Sequence, residues 1–214
     1  MNGIFITVEG PDGAGKTTVI QKLKEKLEAT INTELVVTRE PGGIPIAEKI
    51  RQVILDPTNT EMDERTEALL YAAARRQHLI EKVLPAMKAG KVVLCDRFVD
   101  SSVAYQGAGR GIGADEVYRL NEFAIEGHLP DLTLYLDVPS EIGLERINQG
   151  RKEEELDRLD KESLAFHQTV RAEYLKLLED NPNRILLVDA KEDIEKVTKN
   201  CYDLIVEKFP SIFN

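Results

Sequence analysis

Short apolar runs rich in β-branched residues alternate along this chain with longer stretches whose apolar positions recur at helical spacing. Five runs, at 4–8, 34–38, 91–95, 132–137 and 184–188, are nearly continuous in apolar character. That character predicts parallel strands covered on both faces. Between them, helical periodicity marks 16–28, 46–55, 65–88, 114–126, 140–147, 158–179 and 194–208. The βαβα alternation from end to end predicts an α/β fold: one five-stranded parallel sheet with helices on both faces. Ligands then bind at the carboxyl ends of the strands.

One segment departs from this pattern. Residues 148–157 read Asn-Gln-Gly-Arg-Lys-Glu-Glu-Glu-Leu-Asp, strongly charged and almost without core residues. It is read either as a solvated surface loop or, in a phosphoryl-transfer enzyme, as a short lid at about 148–158. No repeat, low-complexity stretch or long linker interrupts the 214 residues, so a single domain spanning 1–214 is expected.

Composition narrows the function classes. A hydrophobic fraction of 42% and a charged fraction of 31% predict a soluble globular chain. The first apolar run is too short for a signal peptide, and no run is long enough to cross a bilayer. Cys95 and Cys201 show no metal or redox spacing and are expected to be reduced core thiols in a cytoplasmic protein. His78, His128 and His167 are scattered without metal spacing and are read as structural or surface residues. A formal net charge of −10 argues against nucleic-acid binding. It leaves phosphorylated small molecules open, because local arginines can reverse the field within a cleft.

Gly10-Pro11-Asp12-Gly13-Ala14-Gly15-Lys16-Thr17 fits GxxxxGK[ST], follows a strand and opens a helix, with Thr18 next in line. Backbone N–H groups freed by the glycines and the helix amino terminus would cradle phosphates. Lys16 would reach the β and γ phosphates, and the Thr17 hydroxyl would enter a Mg²⁺ shell. A third strand ends in Asp96, followed by Arg97. Asp96 reads either as a partner of Mg²⁺ or as the cap of a helix beginning near Phe98. There is no NKxD to select guanine, and Arg97 stands where an ATP-driven motor carries a second acid. A cation there suits a second phosphorylated substrate.

With the P-loop and its Asp12, five further landmarks carry a resemblance: Thr38-Arg39-Glu40-Pro41-Gly42-Gly43, Arg75-Arg76, Asp96-Arg97-Phe98, Ser101-Ser102-Val103-Ala104-Tyr105-Gln106-Gly107 and Asp157-Arg158. Along essentially its whole length the chain resembles the thymidylate kinase family, of the bacterial type with basic residues in the lid. The resemblance implies a P-loop NTPase fold, ATP as phosphoryl donor with Mg²⁺, dTMP as acceptor, and a homodimer. It implies that Arg39, Arg51 and Arg97 hold the acceptor phosphate. Tyr71 would stack on thymine, Arg75 would hydrogen-bond the base, Ser102 and Gln106 would read its amide edge, and Asp12 would meet the sugar 3′-hydroxyl. With no arginine in the P-loop, the cation bridging the transferred phosphate must come from Arg146, Arg151, Lys152 or Arg158. Arg151 and Arg158 are the candidates chosen. The nearest rival is a deoxynucleoside kinase using Glu9 or Asp12 as a base. A nucleotide-dependent switch without catalysis is the other.

Overall fold

The structure, a computed structural model, describes residues 3–150, 159 and 162–214, the side chains at 148 and 150 excepted. Five strands, β1 (Ile4–Glu9), β2 (Leu35–Arg39), β3 (Val92–Asp96), β4 (Leu132–Asp137) and β5 (Ile185–Asp189), form one sheet in the order β2-β3-β1-β4-β5. Every neighbouring pair is parallel. The α/β expectation holds, with each strand within a residue or so of its predicted span.

Alternation along the strands assigns side chains to two cores. On β1, Ile6 and Val8 join Val92 and Leu94 of β3 on one face, against α1 (Lys16–Thr30) and α9 (Ile194–Lys208). Val19, Leu23 and Leu27 of α1 meet this face, as do Val197, Cys201 and Ile205 of α9. Phe5, Val93 and Cys95 point to the other face, where Leu79, Val83, Phe98 and Val103 cover them. Both cysteines are buried and free.

Local chemistry sets the helix ends. Pro45 opens α2 (Pro45–Leu55), and Asp63 caps α3 (Glu64–His78) by accepting from Thr66 N–H at 2.9 Å. The predicted helix 65–88 is not one α-helix. A π-helical turn, Leu79–Val83, links α3 to α4 (Leu84–Lys88), and the Leu84 N–H reaches five residues back to the Leu79 carbonyl. Pro85 supplies the reason: it has no N–H to give the ladder and crowds the preceding turn, so the register widens there.

A second irregular helix was not predicted from periodicity. α5 (Val99–Ser102) runs into a π-helical segment, Val103–Gly109. Ser101, Ser102 and Gln106 are polar yet buried here, so the apolar pattern that marks a helix is absent from the sequence. α6 (Ala114–Ile125) and α7 (Ser140–Gly150) follow. The span predicted from 158 begins instead as α8 (Leu164–Asp180), because Ser163 caps it by accepting from Phe166 N–H. Residues 148–150 of the expected lid continue α7, and 151–158 lie outside the described residues.

α7 lies directly on the phosphate loop. A Cβ at Gly13, where φ is 77°, would sit 2.1 Å from the Gly143 carbonyl oxygen, and one at Gly143 would sit 2.6 Å from that of Asp12. Only backbone without side chains permits this approach.

At the amino ends of β4 and β5, Asp100 accepts two hydrogen bonds from Arg184, at 2.7 and 2.8 Å, with Thr133 completing the group. Asp100 is 3% exposed. Asp100→Asn leaves Arg184 largely buried without its counter-charge and should cost about 3 kcal/mol of stability, read by urea unfolding at neutral pH.

Candidate active site

The carboxyl ends of β1 and β3 and the helices that follow them enclose a cavity of about 790 Å³. That size suits bound small molecules. Its floor is the loop from Gly10 to Gly15, which joins β1 to the first turn of α1. Residues Asp12 to Thr18 line it, while the carbonyls of Gly10 and Pro11 turn to the ammonium of Lys16 at 2.9 Å each. Burial, joined by nearby Arg97, pushes Lys16 down to about 8, although Asp12, Asp96 and Glu9 work the other way. A phosphate entering the loop relieves that strain on the buried cation.

The residues expected from sequence converge here. Arg39, Arg51, Tyr71, Arg75, Asp96, Arg97, Ser102 and Gln106 all line the same cavity. Arg39 is half exposed at the rim and donates to Glu48 at 2.8 Å. Arg51 donates to the Pro41 carbonyl at 2.9 Å. Arg75 is 2% exposed and heavily committed. Its Nε donates to Glu40, Nη1 to Ser102 and Asn121, and Nη2 to the Phe98 carbonyl. Four of its five N–H groups are thus engaged, which leaves one for a base. Arg146 lies against the loop, donating to the Ala190 carbonyl at 2.9 Å. Arg151, Lys152 and Arg158 lie outside the described residues.

Arg97 and Asp12 are joined at 2.5 Å, and the Tyr105 hydroxyl donates to the other Asp12 oxygen at 2.7 Å. Burial opposes ionisation of Asp12, but Arg97, Lys16 and the Tyr105 hydrogen bond outweigh it and hold the carboxyl well below its usual range. Arg97 has φ of 66°, a left-handed conformation rare outside glycine. Its guanidinium also donates to the Gly10 carbonyl and to Ser101, each at 3.1 Å. Backbone strain of this kind, held by so many contacts, is characteristic of a functional position.

Asp96 does not cap the helix after it: the cap residue is Phe98, and no side chain bonds there. One Asp96 oxygen is buried without a hydrogen-bond partner, and Thr17, an exposed residue, lines the same space. Two hard oxygen donors, one of them unsatisfied, fit Mg²⁺.

Beneath the lining runs a layer that periodicity did not reveal. Glu9 accepts from the Phe98 N–H at 2.6 Å, from the Ser101 hydroxyl and from the Tyr174 hydroxyl at 2.9 Å. Glu40 accepts from Arg75 and pairs with His78 at 2.7 Å, and His78 meets the Thr38 hydroxyl at 2.7 Å. An acid closing an otherwise apolar buried strand was the visible signal for Glu9. Glu9 does not line the cavity, and Asp12 is committed to Arg97, so neither is placed as a base for a 5′-hydroxyl.

Residues 8–201 match the thymidylate kinase family model. The chain belongs to the thymidylate kinase family. Among its relatives, the thymidylate kinase of Enterococcus faecalis (strain ATCC 700802 / V583) is 62% identical over 213 residues, covering 100% of both chains. That of Lacticaseibacillus casei (strain BL23) is 58% identical over 214 residues, again covering 100% of both. The crystal structure of thymidylate kinase from Ehrlichia chaffeensis has a TM-score of 0.76 at 31% identity, covering 96% of this chain and 99% of that one. The parallel sheet and its P-loop are those of the family.

Burial, with the charge of Asp100 adding to it, raises Glu9 to about 7, against the opposing pull of Arg97, Ser101 and the Phe98 N–H. A raised carboxyl is ionised first in the unfolded chain, so folding loses stability as pH climbs from the ordinary 4.5 towards 7. Glu9→Gln removes that loss. Its stability relative to the parent should rise by up to about 1.4 kcal/mol per pH unit across this window and then level off, followed by urea unfolding from pH 5 to 8.

Proposed function

We propose that this chain transfers the γ-phosphoryl group of Mg·ATP to dTMP, giving ADP and dTDP. The observation that carries this reading is the cavity itself. Lys16, Arg39, Arg51, Arg75, Arg97 and Arg146 converge there on a chain whose formal charge is −10. Hydrolysis of one nucleotide does not require cations on both sides of the loop. Bringing two polyanions together does, since two unit charges at 4 Å repel by about 4 kcal/mol at an effective dielectric of 20.

The acceptor is a phosphate monoester with a second pKa of about 6 and is already a nucleophile at neutral pH. No general base is needed, and catalysis rests on placement and charge neutralisation. The P-loop from Gly10 to Thr18 holds the donor phosphates, and Lys16 leaves its loop carbonyls for them. Arg97, with Arg39 and Arg51, supplies guanidinium charge to the acceptor phosphate. Thr17 and Asp96 would hold Mg²⁺, which would supply further neutralisation of the donor phosphates. Tyr71 supplies a stacking face for the base, four residues before Arg75 on α3. Arg75, Ser102 and Gln106 face the edge of the base, and Asp12 faces the sugar. Arg151 and Arg158 remain the proposed cations of a lid at about 148–158, within one domain spanning 1–214.

A homodimer is favoured by large apolar side chains left in solvent on two helices that pack together: Leu69 on α3, and Tyr118 and Phe123 on α6. Phe123 is 86% exposed. Phe123→Glu should shift the mass seen by light scattering towards a monomer. Among the described residues no helix is long and apolar enough to cross a membrane, and the two free buried thiols fit a cytoplasmic setting.

Coupled ADP-release assays with dTMP and with thymidine test the acceptor. Turnover on dTMP is expected, and turnover on thymidine alone would favour the nucleoside kinase. ATP binding without product under excess dTMP would favour the switch. Lys16→Ala and Arg97→Ala should each lower kcat by about 10²-fold or more with the fold retained by circular dichroism. Near-normal turnover in either would remove its role in neutralising charge.

A further inference from the structure

The cavity wall that faces the base holds an amide whose orientation is set from behind. Gln106, 1% exposed, donates from Nε2 to the Glu67 carboxylate at 2.8 Å. An ionised carboxylate only accepts, so the NH₂ end of Gln106 must turn towards it. Glu67 is 0% exposed, and a carboxylate so buried needs a counter-charge. Arg110 supplies it: its Nε lies 3.4 Å from the other Glu67 oxygen, and its Nη1 ties to Glu162 just before the cap of α8. The Arg110 guanidinium is itself held over the Phe166 ring, 5.0 Å from its centroid. On α3, Glu67, Tyr71 and Arg75 recur every four residues and share one face, so the orienting acid and the base-facing residues ride on one helix.

We propose that Glu67 is a positioning residue for base selection, fixing the Gln106 amide so that its carbonyl oxygen is the end offered to the cavity. This rests on dTMP being the acceptor and on Gln106 facing its base. A pyrimidine imide, as in thymine or uracil, presents an N–H between two carbonyls. Cytosine presents a bare ring nitrogen beside an amino group. A fixed carbonyl on Gln106 accepts from the imide N–H but confronts the lone pair of the cytosine nitrogen. Ser102 reinforces the choice: its oxygen already accepts from Arg75 at 3.1 Å, so its hydroxyl hydrogen is free to donate to an imide carbonyl. If the amide could flip, Gln106 would serve either base, and selection would rest on shape alone. A site that leaves a buried polar group unpaired by the wrong substrate discriminates far better than a shape-matched pocket.

The test uses the full-length enzyme with ATP and either dTMP or dCMP, comparing the parent with Glu67→Gln, Glu67→Asp and Gln106→Ala. Glu67→Gln can accept or donate and so releases the amide. The ratio of kcat/KM for dTMP over dCMP should fall by about tenfold or more, the factor of one lost buried hydrogen bond. The change should lie in KM for the monophosphate, with KM for ATP unchanged. Glu67→Asp keeps an acceptor-only group and should retain the preference. A ratio unchanged in Glu67→Gln while Gln106→Ala loses it overturns the role of Glu67 and leaves base reading by Gln106 intact. A ratio unchanged in Gln106→Ala overturns base reading itself. Equal rises in both KM values of Glu67→Gln also overturn the proposal, since they mark a structural loss. Should Glu67→Gln fail to fold, Gln106→Glu decides: two facing carboxylates should make it a weaker dTMP binder than Gln106→Ala, and equal or tighter binding overturns the proposal.

Discussion

The contact between Arg97 and Asp12 is the constraint on which the organisation of the site depends. It joins the P-loop after β1 to the turn after β3, two segments far apart in sequence that meet because their strands are neighbours. Neither partner is an ordinary surface ion. Asp12 is kept ionised against burial, and Arg97 takes a left-handed backbone angle to reach it. A carboxylate inside a phosphate loop is electrostatically costly unless a fixed cation stands beside it, and the Arg97 cation also repels Lys16. Phosphate groups are the partners proposed above for this arrangement. The site is organised to receive negative charge before any arrives, which is the condition for electrostatic preorganisation.

That arrangement needs a rigid backing, and the backing is polar. Glu9, Tyr174, Asp100 and Arg184 lie behind the cavity, and Ser101 joins them to its wall, where most folds of this size place hydrocarbon. Their carboxylates and hydroxyls are hydrogen-bonded to one another or to neighbouring residues, while the Arg184 Nε is left without a partner, so the layer specifies geometry at a cost in stability. The π-helical segment Val103–Gly109 belongs to the same logic. It carries Tyr105 towards Asp12 and Gln106 towards Glu67, placing successive residues where a regular helical pitch does not.

The sheet and most helices were legible in the sequence because burial on two faces leaves near-continuous apolar strands, and amphipathic packing leaves helical periodicity. The P-loop was legible because its glycines, lysine and threonine are a chemical requirement. The segment from Val99 to Gly109 was not, since its buried face is made of serine, tyrosine and glutamine, which hydrophobic periodicity cannot register. The break at Leu79 was announced by Pro85 but required knowing that the chain continues as a helix on both sides. The lining residues Arg39, Arg51, Tyr71, Arg75, Ser102 and Gln106 came from resemblance. Glu40 and Glu67 were hidden because an acid on a helix or turn looks solvated until an arginine from a distant segment is found beside it.

The abutment of Gly13 and Gly143 gives the fold a weak point made of backbone alone, at the floor of the cavity. Two backbones in bare contact have no side chain to repack, so a single methyl group at either position must be absorbed by displacing a whole helix. α7 carries Arg146, which braces the loop and the end of β5 together. Mutational drift at position 143 is therefore coupled to position 13 even though neither offers a functional group. Related chains should keep or lose this smallness as a pair, a correlation of volume rather than of chemistry.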